Sequence, residues 1–186
     1  LVHRAEILQF QGAWPDALVE AGRACERARL ADRKPPGAAL YRQAEIHRLC
    51  GRFDAAEDAY RAAGELGCEP QPGLALLRLA QGRTEAACTA IRRLTSGTSD
   101  RLRRARLLPA HVDIMLAIGD VEDARRARDE LRALAQAFDT DVLRAVVAQA
   151  DGAIALAEGN PQAALDPLRC AFDLWDRLVA PYEAAR

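Results

Sequence analysis

The chain has 186 residues, half of them apolar, with 26 basic side chains against 27 acidic ones and a net charge of −1. That length suits one domain, 1–186, built on a continuous core, and the balanced charge supplies no global field toward nucleic acid or an anionic membrane. No apolar run approaches the ~20 residues of a bilayer span, and Leu1-Val2-His3-Arg4-Ala5-Glu6 lacks the charged-then-apolar order of a signal peptide, so a cytoplasmic setting is expected.

Ala, Leu, Arg, Glu and Gln dominate, while β-branched and aromatic residues are sparse and never alternate over a useful length, so the chain reads as helix and turn throughout. In chain order the predicted helices cover 1–11 and 15–32, 37–50 and 53–66, 73–81 and 84–96, 100–118 and 121–137, and 140–158 and 161–178. Pro35-Pro36-Gly37, Pro70-Gln71-Pro72-Gly73 and Thr95-Ser96-Gly97-Thr98-Ser99 punctuate the pairs, none long enough to link domains. A helix opening at Pro181 stops after one turn, and Leu1 begins without a cap, so both ends read as cut from a longer protein.

Each pair turns on the same pattern, a Gly followed five places on by Ala: Gly12 and Ala17, Gly51 and Ala56, Gly82 and Ala87, Gly119 and Ala124, Gly159 and Ala164. The glycines stand 39, 31, 37 and 40 residues apart. Glycine just past a last helical turn takes the left-handed conformation without a Cβ penalty, and the Asp, Glu or Pro that follows suits the first turn of a new helix. The Ala lies one turn into the second helix. Seven residues before each Gly, on the first helix, stands another mostly small residue: Ala5, Ala44, Ala75, Val112 or Gly152. These small positions are where the two helices of each hairpin are expected to cross.

Gly51-Arg52-Phe53-Asp54-Ala55-Ala56, followed by Tyr60 and Ala63, resembles a tetratricopeptide repeat, and the match recurs along the whole chain. The resemblance implies a right-handed superhelical solenoid of about five antiparallel hairpins. The first-helix Trp and Leu-Gly of the family are absent, and the spacings scatter about the family's period of roughly 34 residues. A narrower resemblance rests on Gly37 to Leu49, on Glu69 to Gly82 and on Ala180-Pro181-Tyr182-Glu183-Ala184-Ala185-Arg186, which are similar to helical segments of bacterial LuxR-type transcriptional regulators. In that family such repeats precede a C-terminal helix-turn-helix domain, and 1–186 contains none. The resemblance implies a protein- or ligand-binding sensor module with the DNA-binding domain elsewhere.

Candidate chemistry is thin. Cys25, Cys50, Cys68, Cys88 and Cys170 are odd in number and scattered, and read as reduced thiols packed in or beside helix interfaces. His3, His47 and His111 fall on different hairpins without partners at metal-ligand spacing, and no nucleophile elbow, phosphate loop or zinc motif occurs. The chain is therefore read as a non-enzyme without metal or cofactor. The basic run Arg101-Leu102-Arg103-Arg104-Ala105-Arg106 lacks interleaved aromatics and reads as a solvated face balanced by neighbouring carboxylates rather than as a nucleic-acid contact.

Solenoids bind through the concave face lined by the first helix of each hairpin. Projection places there Tyr41, Glu45 and Arg48, then Leu76 and Leu79, then Asp113 and Leu116, then Gln149 and Ala153. Lys34 is the chain's single Lys, so the Lys and Asn clamp by which some chaperone-binding repeats hold a carboxylate is missing. The expected partner is a protein or a small-molecule effector, without a membrane and without direct nucleic-acid contact. A scaffold or oligomerisation module with no effector is the alternative. Leu168, Phe172, Trp175 and Leu178 form one apolar stripe on the last full helix, so Phe172, Trp175 and Tyr182 are expected partly uncovered and available for a homodimer.

Overall fold

A computed structural model describes all residues, 1–186. The chain is all-helical, with eleven α-helices and no strand. The ten predicted helices appear with their ends within two residues of expectation, and the stub after Pro181 is the eleventh. Contacts gather into two compact units, Leu1–Leu77 and Arg78–Arg186.

The first unit contains α1 (Val2–Phe10), α2 (Trp14–Leu30), α3 (Gly37–Leu49), α4 (Phe53–Glu65) and the start of α5 (Gly73–Ala80). Here α1 packs on α2, α2 on α3 and α3 on α4, and α1 also touches α3 directly. The second unit contains the end of α5 and then α6 (Thr84–Ser96), α7 (Arg101–Ala117), α8 (Val121–Phe138), α9 (Asp141–Ala157), α10 (Pro161–Arg177) and α11 (Pro181–Ala185). Each of α6 to α10 packs on its successor, and α7 also touches α9.

The hinges follow the sequence pattern. Gly12, Gly51, Gly82, Gly119 and Gly159 all sit at φ between 73° and 80°, the region where a Cβ would clash with the backbone. At Gly51 the turn is closed by Gly51 N–H donating to Arg48 C=O at 3.0 Å and by Arg52 N–H donating to His47 C=O at 2.9 Å, which satisfies carbonyls that the ending helix leaves open. The same pair of bonds recurs at the other four hinges.

Both sets of small residues are buried, and in the pairs α1–α2, α3–α4, α7–α8 and α9–α10 they lie where the two helices pack together. Ala5, Ala17, Ala44, Ala56, Ala75, Ala87 and Ala124 have no exposed surface, and Val112 and Ala164 have 1%. Gly152 is buried too, and a Cβ built there would stand 2.4 Å from Leu168 Cγ. The large side chains fill in around these crossings: Ile46, Tyr60 and Leu77 in the first unit, and Ile91, Leu108, Ile114, Met115 and Leu131 in the second. Burial of each such side chain contributes about 1.5–3 kcal/mol before chain entropy is counted.

Candidate functional site

In the first unit, three residues predicted for the groove, Tyr41, Glu45 and Arg48, stand one turn apart on α3 and do converge. They converge on Tyr60 of α4. Tyr60 donates its hydroxyl hydrogen to Glu45 Oε1, and Arg48 Nη2 donates to Glu45 Oε2 at 2.9 Å. The Tyr41 and Tyr60 rings meet edge to face with centroids 5.7 Å apart. Gly73, at the start of α5, closes the cluster: a Cβ there would lie 1.8 Å from Glu45 Oε1 and 2.3 Å from Tyr60 Oη, so no other residue fits. The Gly73 backbone also hydrogen-bonds to the Tyr41 hydroxyl.

This geometry corrects the expected role of Glu45. It is only 8% exposed, and both its oxygens are spent on neighbours within the unit, so it joins α3 to α4 rather than facing a groove. The physical reason is Tyr60, whose ring enters the crossing beside Ala44 and Ala56 and carries its hydroxyl to the carboxylate. Burial and the Glu45 charge push both tyrosines above the ordinary phenol range, so both stay protonated and Tyr60 remains a neutral donor to Glu45. Burial works against the Arg48 charge, yet Glu45 more than offsets it and the guanidinium stays protonated.

The second unit holds a polar cleft of about 510 Å³ that the sequence reading did not foresee, walled by α6 and α8 over α7. Arg92, Arg93 and Thr95 come from α6, Arg104 and His111 from α7, and Asp123, Arg126 and Glu130 from α8. Most of these charges are paired. Arg92 bonds Asp120 at 2.5 Å and Asp123 at 2.9 Å, Arg126 bonds Asp123 at 3.1 Å, and Arg104 grips Glu130 and the carbonyls of Thr95 and Thr98. The basic run is thus answered by Glu130, across the cleft, for its central arginine.

His111 is 6% exposed, with Nδ1 3.1 Å from Thr95 Oγ1 and Nε2 3.4 Å from Asp123 Oδ2. The order hydroxyl, imidazole, carboxylate is that of a hydrolytic triad, with Nδ1 toward the hydroxyl and Nε2 toward the carboxylate. Thr95 Oγ1 also lies 3.0 Å from the Ile91 carbonyl of its own helix, and Thr95 and His111 are each only 6% exposed. Burial foremost, with Arg92 and Arg104 adding to it, holds the His111 pKa below its ordinary value, while Asp123 opposes that shift.

The remaining predicted groove residues are distributed differently. Leu76, Leu79 and Leu116 are half-buried. Asp113 accepts a 2.6 Å bond from Arg186 Nη2, reaching back from beyond α11 to α7. At the C-terminal stripe, Phe172 is 53% exposed as expected, whereas Trp175 is 3% exposed and its Nε1 donates to Gln149 Oε1 at 3.2 Å. Trp175 therefore does not offer an uncovered face: α9 supplies both the apolar cover and the acceptor that a buried indole N–H needs. Tyr182 is half-buried. Among the cysteines, Cys25 and Cys88 are buried, but Cys50 and Cys170 are exposed, against the expectation that all lie in or beside interfaces. No group of three or more metal-ligating side chains comes together.

No protein-family model matches the chain, and no curated protein resembles it in sequence at a significant level.

Proposed function

We propose that the chain is a tetratricopeptide-like solenoid whose work is to bind a protein or small-molecule effector, as the sensor module of a LuxR-type transcriptional regulator. One observation carries the reading: all five hinges repeat a left-handed Gly with a small residue on the helix to either side, nine of these at most 1% exposed and the tenth the buried Gly152. A unit of that kind cannot bury its own faces alone and stacks on its neighbours. The direct contacts of α1 with α3 and of α7 with α9, first helix to first helix, are the side-by-side arrangement that stacking requires. The regulator assignment is supported by the similarity of residues 37–82 and 180–186 to LuxR-type helical segments.

Two measurements test the proposal. Small-angle scattering is expected to give the elongated profile of a superhelix, and a profile fitting a closed bundle would count against it. Reading the gene beyond the codon for Arg186 is expected to reveal a helix-turn-helix, and any other kind of domain there would remove the regulator assignment. The scaffold alternative is favoured by Leu165 and Phe172, 41% and 53% exposed two turns apart on α10. Under it, sedimentation shows a dimer that Phe172→Glu dissolves.

A further inference from the structure

A second cleft in the second unit, about 460 Å³, opens between the N-terminal halves of α7 and α9 and is closed at one end by Phe138, the last residue of α8. Leu102, Ala105 and Pro109 form one wall and Val142, Leu143 and Val146 the other. Its volume falls in the range of small-molecule sites, which are mostly apolar with a few placed polar groups. Leu102 is 64% exposed and Val142 40% exposed, so the apolar surface reaches the mouth of the cleft rather than closing over. Pro109, inside α7, adds a ring and no N–H to the wall.

The polar groups at this cleft are cations without anions. In this unit Arg92, Arg104, Arg125, Arg128, Arg132 and Arg144 each hold a carboxylate. Arg106 lines the cleft and makes no ion pair, and Arg101 lies over the Phe138 ring, 5.4 Å from its centroid, likewise without a carboxylate. Asp139 and Asp141, which flank Thr140 of the cleft wall, are both held by Arg144. An apolar slot with two uncompensated guanidinium groups at its rim is complementary to a molecule with an apolar body and a single anionic end.

We propose that this cleft binds a small amphipathic carboxylate, its apolar body between α7 and α9 and its carboxylate against Arg106 and Arg101. The inference deepens the binding-module reading, because Leu102, Arg106, Pro109, Asp113 and Leu116 recur every three or four residues along one stripe of α7, the stripe assigned to the effector face.

The test titrates the protein with octanoate, and in parallel with octan-1-ol, by calorimetry and by amide chemical shifts. Octanoate is expected to saturate one site, with shifts centred on Leu102, Phe138 and Leu143. The double variant Arg101→Gln, Arg106→Gln keeps the fold, being altered only at exposed side chains, and is expected to weaken octanoate about tenfold while leaving octan-1-ol unchanged. Ala105→Trp is expected to fill the slot and abolish both. Absence of saturable octanoate binding, equal binding by the double variant, or shifts centred on the Arg92 to Glu130 cleft would overturn the proposal. So would a dimer in sedimentation that Ala105→Trp dissolves, since the slot would then hold a second chain. Any of these results alongside an elongated scattering profile and a downstream helix-turn-helix removes this inference and leaves the module reading standing.

Discussion

Val179 ends α10 at φ 55°, a left-handed backbone that a β-branched side chain tolerates poorly. Asp32 and Asp139 hold similar angles after α2 and α8, but short polar side chains bear them more easily. Because Val179 is 61% exposed, replacing it forfeits little burial. Val179→Gly is therefore expected to raise stability by about 1 kcal/mol in urea unfolding, with an unchanged slope. His111 sets a pH dependence. Its folded pKa lies below the unfolded value of 6.5, so the unfolded chain binds more protons as the medium acidifies. The stability it contributes is complete above pH 6.5 and is lost as pH falls from there through the folded value. His47, also lowered chiefly by burial and next by Arg52, adds to the same loss. Asp123 and Glu130, lowered from 3.8 and 4.5, weaken the fold only in a more acidic window. His111→Gln is expected to flatten the upper part of the stability curve followed by thermal melts between pH 7.5 and 5. A wild-type curve flat over that range would show that the imidazole is not held neutral.

At the scale of the element, the hairpin crossings and the helix starts do separate work. Ala56 and Ala124 have no exposed surface at their crossings, so Ala56→Trp or Ala124→Trp is expected to cost about 1–3 kcal/mol or more, read as a lowered melting temperature. The helix starts fall into two groups. Asp100, Asp120, Thr140 and Asn160 cap α7, α8, α9 and α10 through their side chains at 2.7–3.4 Å, whereas no side chain caps α1 to α4, α6 or α11. Asp120→Ala removes the cap on Asp123 N–H and one partner of Arg92, and is expected to cost about 1 kcal/mol in urea unfolding. These caps follow the hinge Gly by one residue at Asp120 and Asn160, a signal already present in the sequence beside the acidic first turn.

For the whole molecule, charge predicts what the chain avoids. A net charge of −1, with Arg104 of the basic run held by Glu130, is expected to leave no measurable affinity for duplex DNA at physiological salt, where basic proteins bind non-specifically at about 10⁻⁴–10⁻⁶ M. Fluorescence anisotropy of a labelled duplex checks this, and saturation in that range would reverse it. Helix positions, the five hinges and the small crossing residues were legible in the sequence because each depends on local physics: propensity, the left-handed Gly and the exclusion of large side chains from a close approach. The fate of polar side chains on the predicted groove was not legible. Glu45 projects onto the same helical face whether that face meets a ligand or Tyr60, and only the placement of α4 and Gly73 decides between them. Trp175 is likewise apolar on any projection, and it is buried because α9 offers Gln149 to its N–H. The polar cleft beneath α6 and α8, and the apolar slot between α7 and α9, draw their linings from residues up to some forty positions apart, a spacing no periodic pattern encodes. Local sequence determined which segments are helical and where they turn; the tertiary structure alone decided which side chains on those helices are left to bind anything, because that depends on which neighbours arrive from elsewhere in the chain to satisfy them.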